Sequence, residues 1–454
     1  MQTRSNITPG SRDFWFLPLG GTGEIGMNLN LYGHNNQWLM VDCGVMFDKS
    51  RPRADGSNSI VSADPGFIAA RRNQLVGLVI THAHEDHIGA VPYLWKELRC
   101  PVYTTPFTAE VLRRKLSETD LREQVPIIEV GPGDQIQIGH FEVRWLTITH
   151  SLPEPHALLI SAGGTKVFHT ADWKIDRNPV LGSPFDDRAF QTLAKENITA
   201  MVCDSTNATV PGHSVSEGQC FEGLLQLVRH AQGRVIVTCF GSNVARLITL
   251  CLIAAKTGRY AALYGRSLRN MVSAARRTGH WPDEAQIADG RHLGYLPRNE
   301  VLGVATGSQG EYRAALKRMA SGSFRDLELE PGDTVIFSSK VIPGNEKDIA
   351  ALVDQLRQRQ VVVIEASDRQ DPPIHASGHP CQEELKRMYQ WVKPQIAIPV
   401  HGTADHISAN AVIAKEAGIG QQLCGQNGDL FKLAPQPSIK RKAVSVGRIC
   451  HDRN

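Results

Sequence analysis

The chain has 454 residues, of which 41% are hydrophobic and 21% charged, with a formal net charge of +3. That length exceeds one ordinary core and implies two or three domains. No apolar run approaches the ~20 residues that span a bilayer, and no small-residue cleavage site follows the short apolar patch near the N-terminus, which argues against a membrane or exported protein.

Nine cysteines lie scattered without CxxC spacing. Cys203 and Cys239 fall inside apolar strand-like runs and read as packed thiols, so a reducing cytoplasm is expected. The near-neutral charge neither demands nor excludes a polyanionic partner. Basic residues gather at Arg266, Arg269, Arg276 and Arg277, and at Arg313, Lys317 and Arg318. Taken alone, each cluster reads most simply as a solvated helix face.

In chain order, "QWLMVDCG", "LVGLVI", "HFEVRWLTI", "HALLISAGG" and "TKVFHTAD" have strand composition and end at Gly, Asp or His. After about residue 210 the pattern changes to strand-helix units. "RVIVTCF" precedes "SNVARLITLCLIAAKTG", "AALYG" precedes "RSLRNMVSAARRTG", and "DTVIFSS" and "VVVIEAS" follow. That alternation predicts a mainly parallel sheet flanked by helices. Beyond Gly378 come the helical "PCQEELKRMYQWVKP", the strand "IAIPV" and a Pro- and Lys/Arg-bearing tail that turns strand-like.

"THAHEDHIGA" places His82, His84, Asp86 and His87 directly after the apolar run Leu75–Ile80. His82 and His84 are two apart, so in extended backbone they project to one side. Asp86 and His87 are adjacent and diverge, which suits a second ion beside the first. His150 in "TITHS", Asp172 in "FHTADW" and His401 in "PVHG" follow other strand ends. These seven candidates exceed a closed zinc site but suit two ions sharing a carboxylate. Imidazole with carboxylate accommodates Zn²⁺, with Mn²⁺ the alternative where oxygen ligands dominate. One isolated histidine would read as a hydrogen-bonded or surface residue; this spacing does not.

"HAHEDH" followed by a His, an Asp and a distant His resembles the metallo-β-lactamase fold, an α/β αββα sandwich with two metals at its edge. The resemblance implies His82, His84 and His150 on one metal, Asp86, His87 and His401 on the other, and Asp172 between them. It also implies that Asp42, in "VDCG", supports the ligands from behind. From Asp172 to His401 is 229 positions, which requires an inserted domain, as in the β-CASP nucleases that clamp nucleic acid over the metals.

Ten further pieces, "LGGTGEIGMN", "VDCGVMF", "HEDHIGAVPYL", "DSTNA", "SNVARL", "GRSLRN", "ATGSQGE", "IPGNE", "HASGH" and "PVHG", resemble in order and spacing the bacterial ribonuclease J family. The domains expected are a metallo-β-lactamase part over 1–208, an inserted β-CASP domain over 209–374, a return segment over 375–432 and a tail over 433–454. The usual C-terminal domain is expected to be missing after "VSVGRICHDRN".

The same resemblance gives catalysis to Asp86, to His379 as proton donor and to Asp204 as the acid that holds it, an arrangement that raises an imidazole's pKa. Taken alone, Asp204 would read as a turn cap. His375, Ser377 and Gly378 resemble a pocket for a 5′-monophosphate, Phe47 an aromatic that stacks on a base, and Arg266, Ser267, Ser308 and Gln309 the lining of an RNA channel. For Phe47 the plainer reading is a core residue.

The implied activity is metal-dependent cleavage of single-stranded RNA, 5′-to-3′ from a 5′-monophosphate with some internal cutting. Single-stranded DNA is the alternative substrate, other RNA-decay enzymes are the implied partners, and monomer or dimer stays open. A small-molecule ester or lactone hydrolase is disfavoured by the insertion. "GGTGEIG" lacks the strand-helix context of a dinucleotide loop and reads as a tight turn near the metals. Residues 48–67 depart from the family pattern.

Overall fold

Strand Phe141–Thr147 buries Phe141, Val143 and Trp145 and turns Glu142 outward, the period of a sheet with one covered face. Phe14–Gly20 and Leu29–His34 are instead buried at every residue, because their sheet is covered on both sides. The computed structural model describes residues 7–54, 56–368 and 371–451. The outer ends of the first and last predicted segments, 1–6 and 452–454, lie outside the described residues, as does Asp55 within 48–67.

Two sheets face each other. The first runs Ser438–Lys440, Leu430–Ala434, Phe14–Gly20, Leu29–His34, Gln37–Val41, Leu75–Val79, Val102–Thr104, Ile127–Glu129. The second runs Gln421–Gln422, Ile396–Val400, Ala200–Asp204, Thr165–His169, His156–Ala162, Phe141–Thr147, Gln135–Ile138. Phe14, Phe16, Leu39 and Val79 from one meet Trp145, Leu158, Val167 and Ile398 from the other in a shared core. Helix Val91–Leu98 covers the outside of the first sheet. Helices Gln382–Val392 and Ala404–Glu416 cover the second, completing αββα layers.

The inserted unit carries a five-stranded sheet, Tyr260–Tyr264, Val301–Ala305, Val235–Thr238, Thr334–Phe337, Val362–Glu365, with every pairing parallel. Its helices share one apolar cluster with Ala83, Phe107, Val111 and Leu152 of the sandwich. Wholly buried Arg246 pairs with Glu217 at 2.9 Å and donates to the carbonyls of Ser338 and Ile374.

The boundary predicted at 432 falls inside strand Leu430–Ala434. That strand pairs with Phe14–Gly20, a partnership between chain ends that local patterning cannot reveal. Residues 45–63 form a hairpin, Val45–Pro52 against Asn58–Ala63, and the tail strand Arg448–Cys450 pairs with its second arm. Among the described residues no helix is long and apolar enough to cross a membrane. Cys203 and Cys239 are buried free thiols.

Candidate metal centre

Parallel strands bring the site together. Val202 and Asp204 lie in register with Ile398 and Val400, and His169 with Val202, so Asp172, Asp204 and His401 leave three neighbouring strands at one edge. Across the sandwich, Val41 pairs with Val79, which delivers Asp42 and His82 to the same edge. The backbone stays extended to His84 and then enters the single-turn helix Glu85–Ile88, which separates the two pairs of "HAHEDH". Asp42, Ala171 and His401 adopt left-handed φ of 64°, 52° and 51°, strain of a kind that collects at functional sites. Gly44 is required sterically: a Cβ there would lie 1.7 Å from the Asp86 carbonyl oxygen.

Three groups of ligand-type atoms result, each gathered within 4.8 Å: first His82, His84, His150 and Asp172, second Asp86, His87, Asp172 and His401, and third Asp172, Asp204, His379 and His401. In the first, His84 Nδ1 lies 3.1 Å from His82 Nε2 and 3.0 Å from His150 Nε2. Burial lowers the His82 and His150 pKa values and takes His84 down to about 4. Three neutral imidazoles that aim nitrogens at one point satisfy one another poorly, and a cation between them satisfies all three. In the second group burial also pulls His87 and His401 down. Asp172 and Asp86, with Asp42 at His87 and Asp204 at His401, outweigh it and raise both. Asp172 itself is 3.2 Å from His87 Nε2 and 3.1 Å from His401 Nδ1.

Partners behind the ligands fix their rings. His87 Nδ1–H donates to Asp42 Oδ2 at 2.7 Å. Asp42 also accepts from the Thr81 amide and hydroxyl, and that hydroxyl lies 3.0 Å from His82 Nδ1. His150 Nδ1–H donates to the Gly378 carbonyl at 2.6 Å. Only glycine fits there, since a Cβ on Gly378 would meet the His150 ring at 2.4 Å.

Beside the second group, His379 Nδ1–H donates to Asp204 Oδ2 at 2.8 Å. Burial lowers the His379 pKa, but Asp204 and then Asp172 raise it overall. Burial opposes ionisation of Asp204, yet His379 holds its carboxyl down at about 2.

The chain matches the metallo-beta-lactamase superfamily over residues 26–213, the beta-CASP domain of ribonuclease J over 232–356, and the Zn-dependent metallo-hydrolase RNA specificity domain over 373–420. Ribonuclease J of Sinorhizobium meliloti is 43% identical over 441 residues, 96% of this chain and 77% of that protein. The chain belongs to the ribonuclease J family. Ribonuclease J of Mycolicibacterium smegmatis is 37% identical over 440 residues, with the same two shares. A solved protein of unknown function from Enterococcus faecalis V583 covers 92% of this chain and 100% of its own, with a TM-score of 0.62 at 14% identity, a likeness of fold.

This ribonuclease J family member thus has the αββα sandwich with an inserted β-CASP domain, and its His/Asp edge is suited to divalent metal. Phe47 is 53% exposed on the hairpin, which removes the core reading. Arg266 and Ser267 are exposed at the start of helix Arg266–Arg277. Ser377 Oγ accepts from Asn207 Nδ2 at 2.8 Å and from the His379 amide, leaving its own hydrogen to donate. His375 packs beside Phe240, and burial, then Arg246, lowers its pKa to about 4.

Ser308 and Gln309, expected to line the channel, lie inside the inserted unit. Both are buried, and the Gln309 amide is spent on Lys340, Ile342 and Asn345, where it holds two loops together. Glu85, which matches no ligand position, pairs with Lys115. "GGTGEIG" runs into strand Leu29–His34, and the Gly21 carbonyl accepts from the His401 amide at 2.7 Å.

Sequence reasoning assigned no role to Asn28, whose Nδ2 lies 3.2 Å from His87 Nε2, or to Thr206, whose hydroxyl donates to Asp204 Oδ1 at 2.7 Å. Both stand inside quoted motifs, "LGGTGEIGMN" and "DSTNA". Polar residues inside a motif that also holds or adjoins a site residue were the available signal.

Proposed function

We propose that the protein hydrolyses phosphodiester bonds of single-stranded RNA with two divalent ions, working 5′-to-3′ from a 5′-monophosphate and cutting internally as a second activity. The observation that carries this reading is the pair of ligand groups sharing Asp172, with the Asp204–His379 pair beside them. His82, His84, His150 and Asp172 would hold one ion, and Asp86, His87, Asp172 and His401 the other. Five imidazoles and two carboxylates favour Zn²⁺ over Mn²⁺. When bound, such ions supply charge neutralisation at phosphorus and an activated water.

The chain's own residues do the rest. Asp204 fixes the His379 tautomer and keeps a proton on the ring near neutral pH, so Nε2 can deliver it to the departing ribose oxygen. Asp42 orients His87, and Gly378 orients His150. The Ser377 hydroxyl, with neighbouring amides and His375, suits a terminal phosphate. Phe47 offers a face for a base, and Arg266 and Ser267 offer polar contacts along the strand. A clamp unit inserted between the two parts of the sandwich gives the strand a place to lie. The free thiols accord with action in the cytoplasm.

The test is digestion of end-labelled RNA and single-stranded DNA with defined 5′ groups, with Zn²⁺, Mn²⁺ or chelator. Monophosphorylated RNA should shorten to mononucleotides, and 5′-hydroxyl or triphosphate ends should slow the reaction. Intact RNA alongside degraded DNA would transfer the assignment to a DNA nuclease.

A further inference from the structure

The loop from His150 to Pro155 leaves the sandwich and plugs into the inserted unit. Leu152 is buried in the cluster that also holds Leu268, Val272 and Ala275 of helix Arg266–Arg277. Ala83, between ligands His82 and His84, belongs to the same cluster. Two residues beyond Leu152, Glu154 sits at a left-handed φ of 54°. Its Oε2 accepts from the Phe107 amide at 2.8 Å. Its Oε1 accepts from His280 Nε2–H at 2.7 Å. Both side chains of that pair are largely shielded, at 16% and 26% exposure. His280 lies just after helix Arg266–Arg277, which packs on helix Pro106–Ser117. The Glu154 carboxylate therefore joins three bodies: the ligand loop, the start of a sandwich helix and the inserted unit.

Among the described residues nothing comparable stands behind the second group. His87 rests on Asp42, and His401 on Thr206 and Gly21, all residues of the sandwich.

We infer that Glu154 is a positioning residue for the three-histidine metal position, and that the inserted unit sets this position through His280. The inference rests on the two-ion reading above. A non-glycine residue at positive φ keeps its place only where its surroundings hold it. Once His280 no longer holds the carboxylate, the loop can relax, and His150 loses its fixed approach to His84. The three-histidine position then weakens while the one containing His401 does not.

Metal titration of the metal-free full chain with Zn²⁺, followed by calorimetry and native mass spectrometry, tests this without reference to activity. The native protein should take two equivalents. His280→Ala and Glu154→Gln should each weaken one of them by about 10–100-fold, the usual effect of removing a group that orients a ligand. The double variant should be no weaker than the weaker single variant. Arg277→Ala removes the exposed contact with Glu110 on the same interface and should change neither equivalent. In a His84→Ala background, adding His280→Ala should leave the remaining equivalent unaltered. If His280→Ala lowers the melting temperature, His280→Gln, which keeps a donor, should restore the affinity. Two native equivalents left unchanged in the variants, or weakened equally, would overturn the inference alone. A single native equivalent would overturn the two-ion reading and the inference with it.

Discussion

The two ligand groups that meet at Asp172 have opposite electrostatics. The three-histidine group backs onto apolar Ala83 and Leu152, and burial keeps its imidazoles neutral. The other group is crowded by carboxylates: burial lowers the His87 pKa, but Asp172, Asp86 and Asp42 raise it overall. One half of the site is thus a ready set of neutral donors. The other gathers imidazoles among carboxylates that already attract positive charge. Shared ligands do not make equivalent positions, and a reading from residue types alone would treat the two as a symmetric pair.

The sharpest challenge to that division is His379, which together with Asp172, Asp204 and His401 forms a third cluster of ligand-type atoms. His379→Ala should slow RNA cleavage by about 10²–10⁴-fold, the range for a lost general acid, with metal stoichiometry unchanged. A lost equivalent would move His379 into the ligand set and dissolve the two-group picture.

A smaller effect is expected at Asp42, which touches both groups unequally. Asp42→Asn removes the charged acceptor of His87 Nδ1–H and should weaken the second position by about 10–100-fold. The first position, reached only through the Thr81 hydroxyl, should change less. Metal titration reads both, and equal weakening would break the comparison.

The smallest effect concerns folding stability away from either group. Burial opposes ionisation of Asp176 and Glu217, but Lys174 and Arg246 hold both carboxyls below their usual range. Groups with depressed folded values stabilise fully above the unfolded values, about 3.9–4.3 for these side chains, and lose that contribution as pH falls through the folded ones. The urea midpoint of the metal-free protein should therefore fall below pH 4, with a shallower fall in Glu217→Gln. A midpoint that rises on acidification would contradict the assignment.

Much of this site was legible because its ligands follow strand ends within short local motifs. "HAHEDH" carries its spacing in six residues, and the gap to His401 announced an inserted body. What escaped was long-range. The pairing of Leu430–Ala434 with Phe14–Gly20 joins the chain's two ends, so a boundary set by composition missed it. Gln309 carries the chemistry of a substrate contact, but a sequence does not reveal which polar atoms are already spent. Glu154 and His280 are 126 positions apart, and neither stands in a motif that points to the other.

The order of the ligands along the chain also has a consequence in time. Strand Ile396–Val400 lies beside Ala200–Asp204, and His401 comes 229 positions after Asp172. At roughly 5–20 residues per second of synthesis, that interval lasts on the order of tens of seconds. Once made, the apolar strand Ala200–Asp204 is an open edge that invites wrong pairing until Ile396–Val400 arrives, and the second ligand group lacks a member until then. The second ligand group is therefore completed only when residue 401 has been made.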